Sequence, residues 1–204
     1  MKILIVDYGM GNLASVRRAL EECGAEVFIS DDPQSLSEAT GVILPGVGAF
    51  SDGMNHLRQR GWIEPLQQSV VRDKTPFLGI CLGMQFLADR SFEGQETKGL
   101  GWIAGDVIRL ERKSEEERIP HMGWNEIFQK VPHSILSDVA DGTDFYFVHS
   151  FHFAAKNQSD VVAMTPYCGE FVSIVAKDNI VGVQFHPEKS SSEGQAILKK
   201  FLTI

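Results

Sequence analysis

The first eighty residues repeat one pattern, a short apolar run followed by a stretch with helical spacing. The runs are Ile3–Val6, Val27–Ile29, Val42–Leu44 and Phe77–Ile80. A strand with no alternating polar face is buried on both sides, as in parallel sheets covered by helices. After the first run, Leu13, Val16, Leu20 and Cys23 recur at helical spacing and Gly24 supplies a stop. A helical stretch follows from about Asp52, Pro65 starts or interrupts another, and Met84–Leu87 begins a further helix. This alternation predicts an α/β fold: an open, mostly parallel, doubly wound sheet with helices on both faces. The second half changes character. Val107–Leu110, Trp124–Phe128, Phe145–Val148, Val161–Met164, Phe171–Ala176 and Val181–Phe185 read as strands. Turn signals at Asp141-Gly142 and Asp178-Asn179 join some of them, which predicts antiparallel strands added to the parallel sheet. The mixed-sign run Glu111–Arg118 reads as a solvated loop or hairpin tip, and a last helix is expected from about Glu193 to Leu202. With no repeat and no dividing linker, residues 1–204 read as a single domain.

Composition narrows the function classes. Nineteen basic residues against twenty-seven acidic ones give a net charge of −8, which argues against a nucleic-acid-binding surface. No apolar window is long enough to span a membrane, and the N-terminus lacks a secretory pattern. Three cysteines without ligand spacing exclude a disulfide scaffold and a structural zinc site. These features point to the reduced cytosol, with no metal and no cofactor.

The chemistry centres on Gly79-Ile80-Cys81-Leu82-Gly83. It is the thiol counterpart of a nucleophile elbow, in which a sharp strand-to-helix turn pushes one side chain out of the sheet's carboxyl edge. The helix N-terminus there favours the thiolate. Cys23 lies on an apolar stripe and Cys168 lacks a base, so both read as structural. Among six histidines, only His186 ends an apolar strand with a carboxylate at useful spacing, in His186-Pro187-Glu188. In extended chain, residues at i and i+2 share a side, so Glu188 can orient His186. His121, His149 and His152 remain candidates for the substrate side, whereas His56 and His133 read as solvent-facing. The developing oxyanion needs donors. The Leu82 amide is one, and the glycine-rich turn Pro45-Gly46-Val47-Gly48-Ala49-Phe50 lies at the carboxyl end of another strand. Gly9-Met10-Gly11-Asn12-Leu13-Ala14 fits a dinucleotide fingerprint, but Asp7 would put a carboxylate near the pyrophosphate and no substrate domain remains.

Taken together, Gly79–Gln85 and His186-Pro187-Glu188 resemble the signatures of the triad-type glutamine amidotransferases. Asp7–Leu13, Pro45–Phe50, Pro120–Asn125 and His186–Ser190 further resemble the glutaminase subunits of imidazole glycerol phosphate synthases, and the likeness spans essentially the whole chain. The resemblance implies that Cys81 attacks the side-chain amide of glutamine, with the Val47 and Leu82 amides holding the oxyanion. It implies that His186 moves the proton and Glu188 orients it. Gly48, Gln85, His149 and Ser150 would bind the amino-acid end. The family pattern has an aromatic hydroxyl next, where this chain has Phe151, so Phe151 is left out of the expected site. Ammonia released into neutral water becomes ammonium, which is no nucleophile, so the product needs a water-excluding path to a second site. The implied partner is a (β/α)8-barrel cyclase, met through Asn12, Trp124, Tyr146 and Lys189 in a heterodimer.

Overall fold

The structure, a computed structural model, describes residues 1–204. In chain order the first strands are β1 Lys2–Val6, β2 Glu26–Ser30, β3 Gly41–Gly46 and β4 Phe77–Cys81. Short strands β5 Arg90–Ser91, β6 Thr97–Lys98 and β7 Gly105–Arg109 follow, then β8 His121–Gln129, β9 Thr143–His149 and β10 Phe151–Ala155. The last three are β11 Val161–Thr165, β12 Phe171–Lys177 and β13 Ile180–Val183. The helices are α1 Leu13–Glu22, α2 Phe50–Gln59, α3 Ile63–Leu66, α4 Leu82–Gln85 and α5 Ser191–Phe201.

Nine strands form one sheet in the order β2-β1-β3-β4-β13-β12-β11-β8-β9. Pairing is parallel from β2 through β13 and antiparallel beyond it. The unbroken apolar character of β1 has a direct cause. Ile3 and Ile5 enter a core closed by α1 and α5, while Leu4 and Val6 enter a second core closed by α2 on the other face. Each such fully buried side chain contributes about 1.5–3 kcal/mol. No helix is long and apolar enough to cross a membrane.

Five details depart from the sequence reading. The helix expected after the elbow is a single turn, because the Leu87 and Ala88 amides bond to Met84 and Gln85, three residues back, and close it. The Val107 run leaves the main sheet for a small second sheet, ordered β10-β7-β5-β6, whose Val107 and Phe153 complete the second core. β13 stops at Val183, short of Phe185. His56 and His133 are half-buried rather than solvent-facing: His56 Nδ1 lies 3.1 Å from the Tyr8 carbonyl, and His133 Nδ1 accepts the Ile135 amide at 3.2 Å. Pro65 falls inside α3, whose chain continues into a wider π-helical turn over Gln67–Arg72.

Candidate active site

Cys81 ends β4 with φ 54° and ψ −107°, a conformation that costs a non-glycine residue about 1–3 kcal/mol. The turn closes only because its neighbours lack a Cβ. One on Gly83 would overlap the Leu44 carbonyl oxygen, and one on Gly79 would press on the Gly83 carbonyl. Gly83→Ala is therefore expected to destabilise the chain by about 3 kcal/mol or more, read as a lower urea midpoint with unchanged slope. With α4 only four residues long, little helix dipole reaches the thiol, and side chains must support its charge instead.

His186 is extended, and a 3₁₀ turn over Pro187–Lys189 brings Glu188 round to it, rather than the strand continuing. His186 Nδ1 lies 2.8 Å from Glu188 Oε1, with both side chains at most 4% exposed. Ser190 fastens this turn to β9: its Oγ donates to the His186 carbonyl at 2.7 Å and accepts the Tyr146 amide at 3.0 Å. Burial pushes His186 towards neutrality, but the Cys81 sulfur and the Glu188 carboxylate outweigh it and hold the imidazole well above its usual range. Its Nε2 is buried and makes no hydrogen bond within the protein, which leaves it free for a group that enters the cavity.

Cys81 and His186 open into a cavity of about 320 Å³ that Val47, Gly48, Leu82, Gln85, His149 and Ser150 also line. That volume suits a small ligand. Gly48, at φ +95°, carries the turn past the Met10 methyl. Gln85 Nε2 donates to the Phe151 carbonyl at 2.9 Å and to Gln184 Oε1 at 3.1 Å, which leaves Gln85 Oε1 for a ligand. Both ring nitrogens of His149 are engaged within the protein, so His149 offers the cavity its backbone. Phe151, set aside in the sequence reading, lines the cavity and supplies the carbonyl that Gln85 and His149 share.

Two groups at the site escaped the sequence. Glu93 lines the cavity and accepts the Phe50 amide at 2.7 Å, yet Ser91–Gly94 fits no pattern. Gln184 is fully buried, with Nε2 3.7 Å from Cys81 Sγ. Its signal was available: a glutamine inside the apolar run Val181–Phe185 needs a polar partner.

Outside the cavity, Trp124 is 52% exposed and so is no core filler. It meets Tyr146 edge-on at 6.2 Å, and Lys189 Nζ lies 5.8 Å from the Tyr146 ring centre. Asn12 caps α1, which packs against the same 187–189 turn. The dinucleotide fingerprint is spoken for, because Asp7 Oδ1 accepts the Gly9 amide at 2.9 Å.

Burial pushes His121 down to about 4 and His149 down to about 3. The unfolded chain would protonate both near 6.5. Below that pH the unfolded state binds more protons, so stability falls as pH drops from 6.5 through these folded values. Thermal unfolding between pH 7 and 4 is expected to show this fall, and to show less of it in His121→Phe.

The class-I glutamine amidotransferase family pattern matches residues 4–204. Imidazole glycerol phosphate synthase subunit HisH of Geobacter metallireducens is 47% identical over 203 residues, covering 98% of this chain and 96% of that one. Subunit HisH 2 of Methanococcus maripaludis is 42% identical over 200 residues, 98% of each chain. Among solved structures, PurLQS from Thermotoga maritima aligns with TM-score 0.78 at 18% identity, over 99% of this chain and 97% of that one. The acivicin-bound glutaminase domain of Trypanosoma brucei CTPS aligns with TM-score 0.70 at 16% identity, over 100% and 92%. At those identities the structural likeness speaks to fold alone.

Proposed function

The chain belongs to the class-I glutamine amidotransferases, within the group of imidazole glycerol phosphate synthase HisH subunits, and from that premise we propose that its cavity is a glutaminase site. In this reading it hydrolyses glutamine to glutamate and ammonia and delivers the ammonia to a synthase partner that makes imidazole glycerol phosphate and aminoimidazole carboxamide ribotide. One observation carries it. A cysteine held in strained backbone at a sheet's carboxyl edge shares a cavity with an imidazole that a buried carboxylate orients at 2.8 Å.

The Cys81 thiolate attacks the glutamine Cδ, and the Val47 and Leu82 amides take the oxyanion. As the C–N bond breaks, His186 gives its proton to the leaving nitrogen, and a thioester remains. His186, now neutral, takes a proton from water, which attacks the thioester and releases glutamate. Glu188 keeps Nδ1 protonated throughout, so that Nε2 does the transfers. Gly48 and Ser150 hold the amino-acid end, together with Gln85 Oε1 and the His149 backbone. Glu93, a carboxylate at the cavity wall, pairs with the substrate ammonium. Glu93→Ala is expected to raise KM for glutamine roughly ten- to hundredfold with kcat within a few fold, since a charged hydrogen bond is worth about 1.5–3 kcal/mol.

The patch formed by Trp124, Tyr146, Lys189 and Asn12 fits the docking face for a (β/α)8-barrel cyclase, with an aromatic anchor inside a polar rim. Releasing ammonia without an acceptor wastes glutamine, and Val47 sits between two glycines at the cavity, where its peptide can turn at small steric cost. Glutamate release is therefore expected to be slow for the chain alone. It should rise about 10²–10³-fold with the cyclase and its ribotide, the worth of one oxyanion donor. Full activity of the isolated chain would remove the gating, and no glutamate release under any condition would remove the glutaminase reading.

A further inference from the structure

A buried polar chain runs from β8 to the catalytic sulfur. Asn125 Nδ2 lies 3.2 Å from His121 Nε2, and His121 Nδ1 lies 3.0 Å from His149 Nε2. His149 Nδ1 lies 2.8 Å from the Phe151 carbonyl, which also accepts from Gln85. Gln85 donates to Gln184, and Gln184 Nε2 reaches Cys81 Sγ. We infer that these residues form one ordered hydrogen-bond relay, in which the donors from Asn125 through His149 and a donor from Gln85 meet at the Phe151 carbonyl, and which continues through Gln85 and Gln184 to present an N–H to the Cys81 sulfur.

The direction is fixed from both ends independently. Asn125 Oδ1 accepts the Glu126 amide at 2.9 Å, which sets the amide orientation and turns the donor Nδ2 towards His121. His121 Nε2 must then accept, so a neutral His121 carries its proton on Nδ1 and donates to His149. From the other end, the Phe151 carbonyl can only accept, so His149 carries its proton on Nδ1 and leaves Nε2 as the acceptor. The two assignments meet at the 3.0 Å contact without conflict. Gln85 must likewise turn Nε2 to Phe151, and the same group donates to Gln184 Oε1. This leaves Gln184 its amide N–H groups for the sulfur.

Such an arrangement requires both imidazoles to stay neutral, and their surroundings favour it. His121 stacks on Tyr167 at 4.0 Å and meets Phe147 and Phe171, with no carboxylate among these contacts. The titratable groups near the pair are His152, His186 and Tyr167. Tyr167 is held by the Arg118 backbone, its hydroxyl donating to the carbonyl and accepting the amide, both at 2.8 Å. His121 is thus a positioning residue. It holds His149, which holds the carbonyl that orients Gln85 and, through it, Gln184.

The relay rests on Cys81 as the nucleophile, so its test avoids glutamine turnover. In the full ¹⁵N-labelled chain at pH 7, two-bond imidazole correlation spectra are expected to report the neutral Nδ1–H tautomer at His121 and His149. Alkylation by iodoacetamide, mapped to each cysteine by mass spectrometry, is expected to slow about tenfold at Cys81 in Gln184→Met. In His121→Phe it should slow severalfold at Cys81 without accelerating at Cys23 or Cys168, as general loosening would cause. His121→Gln, which can accept from Asn125 and donate to His149, should restore part of the rate. An Nε2–H tautomer or an imidazolium at either histidine overturns the relay, as does an unchanged Cys81 rate in Gln184→Met or His121→Phe. Should His121→Phe fail to fold, the tautomers and Gln184→Met still decide. Expected tautomers and alkylation rates without glutamate release in the cyclase complex would instead sink the glutaminase reading and leave the relay standing.

Discussion

Cys81→Ala is expected to form no glutamate above the uncatalysed rate, while the cyclase complex still makes product from added ammonium salts at alkaline pH. The thiol is the one group in the cavity that can form the thioester, and it has no role once ammonia exists. The loss cannot be assigned to misfolding, because alanine keeps the same Cβ at the same backbone angles. Cys81→Gly provides the control. It removes the strain of a side chain at φ 54° and is expected to be about 1 kcal/mol more stable than Cys81→Ala, yet equally inactive. Chemical denaturation of the two variants alongside glutamate release separates stability from chemistry. A Cys81→Ala chain that turns over glutamine at the parent rate would end the nucleophile assignment.

The parallel half of the fold was legible because β1, β3, β4 and β13 are buried on both faces, only the edge strand β2 being half-exposed. A run such as Ile3–Val6 admits few other placements, and the glycines around Cys81 declare a close backbone approach before any coordinate is seen. Legibility failed where the second sheet begins. β5 and β6 are two residues each, too short for a period, and the turn that ends α4 depends on distant partners such as the Leu100 amide bonded to Phe86. At the site, Cys81, His186 and Glu188 announce themselves because nucleophile and base need special local backbone. Glu93 and Gln184 do not, since each matters only for what the fold sets opposite it. The His121–His149 contact has the same origin: β8 and β9 place these residues directly across from each other, and only the register makes them a pair. Phe151 was passed over by its side chain, whereas its backbone carbonyl is what the cavity wall uses.

His186→Asn is expected to lower glutaminase kcat by about 10²–10⁴, the usual worth of a positioned general acid–base. The size follows from geometry. Asparagine can hold a hydrogen bond to Glu188, but it has no group that takes a proton near neutral pH, and it removes the cation that favours the Cys81 thiolate. Glu188→Gln should cost less. Glutamine is nearly isosteric, the site is almost wholly buried, and the Pro187–Lys189 turn that carries it is fastened through Ser190 to β9. The amide oxygen can still accept from Nδ1, so the tautomer survives, but the negative charge that stabilises the imidazolium is gone. The two variants are thus expected to differ in kind. His186→Asn loses reactivity of Cys81 towards iodoacetamide at every pH below the free thiol range. Glu188→Gln keeps a reactive thiol over a narrower range, because its imidazolium gives up the proton at lower pH. Measuring kcat and the alkylation profile of both variants in the cyclase complex checks the pair. Equal and mild losses in both would return His186-Pro187-Glu188 to the status of a structural turn.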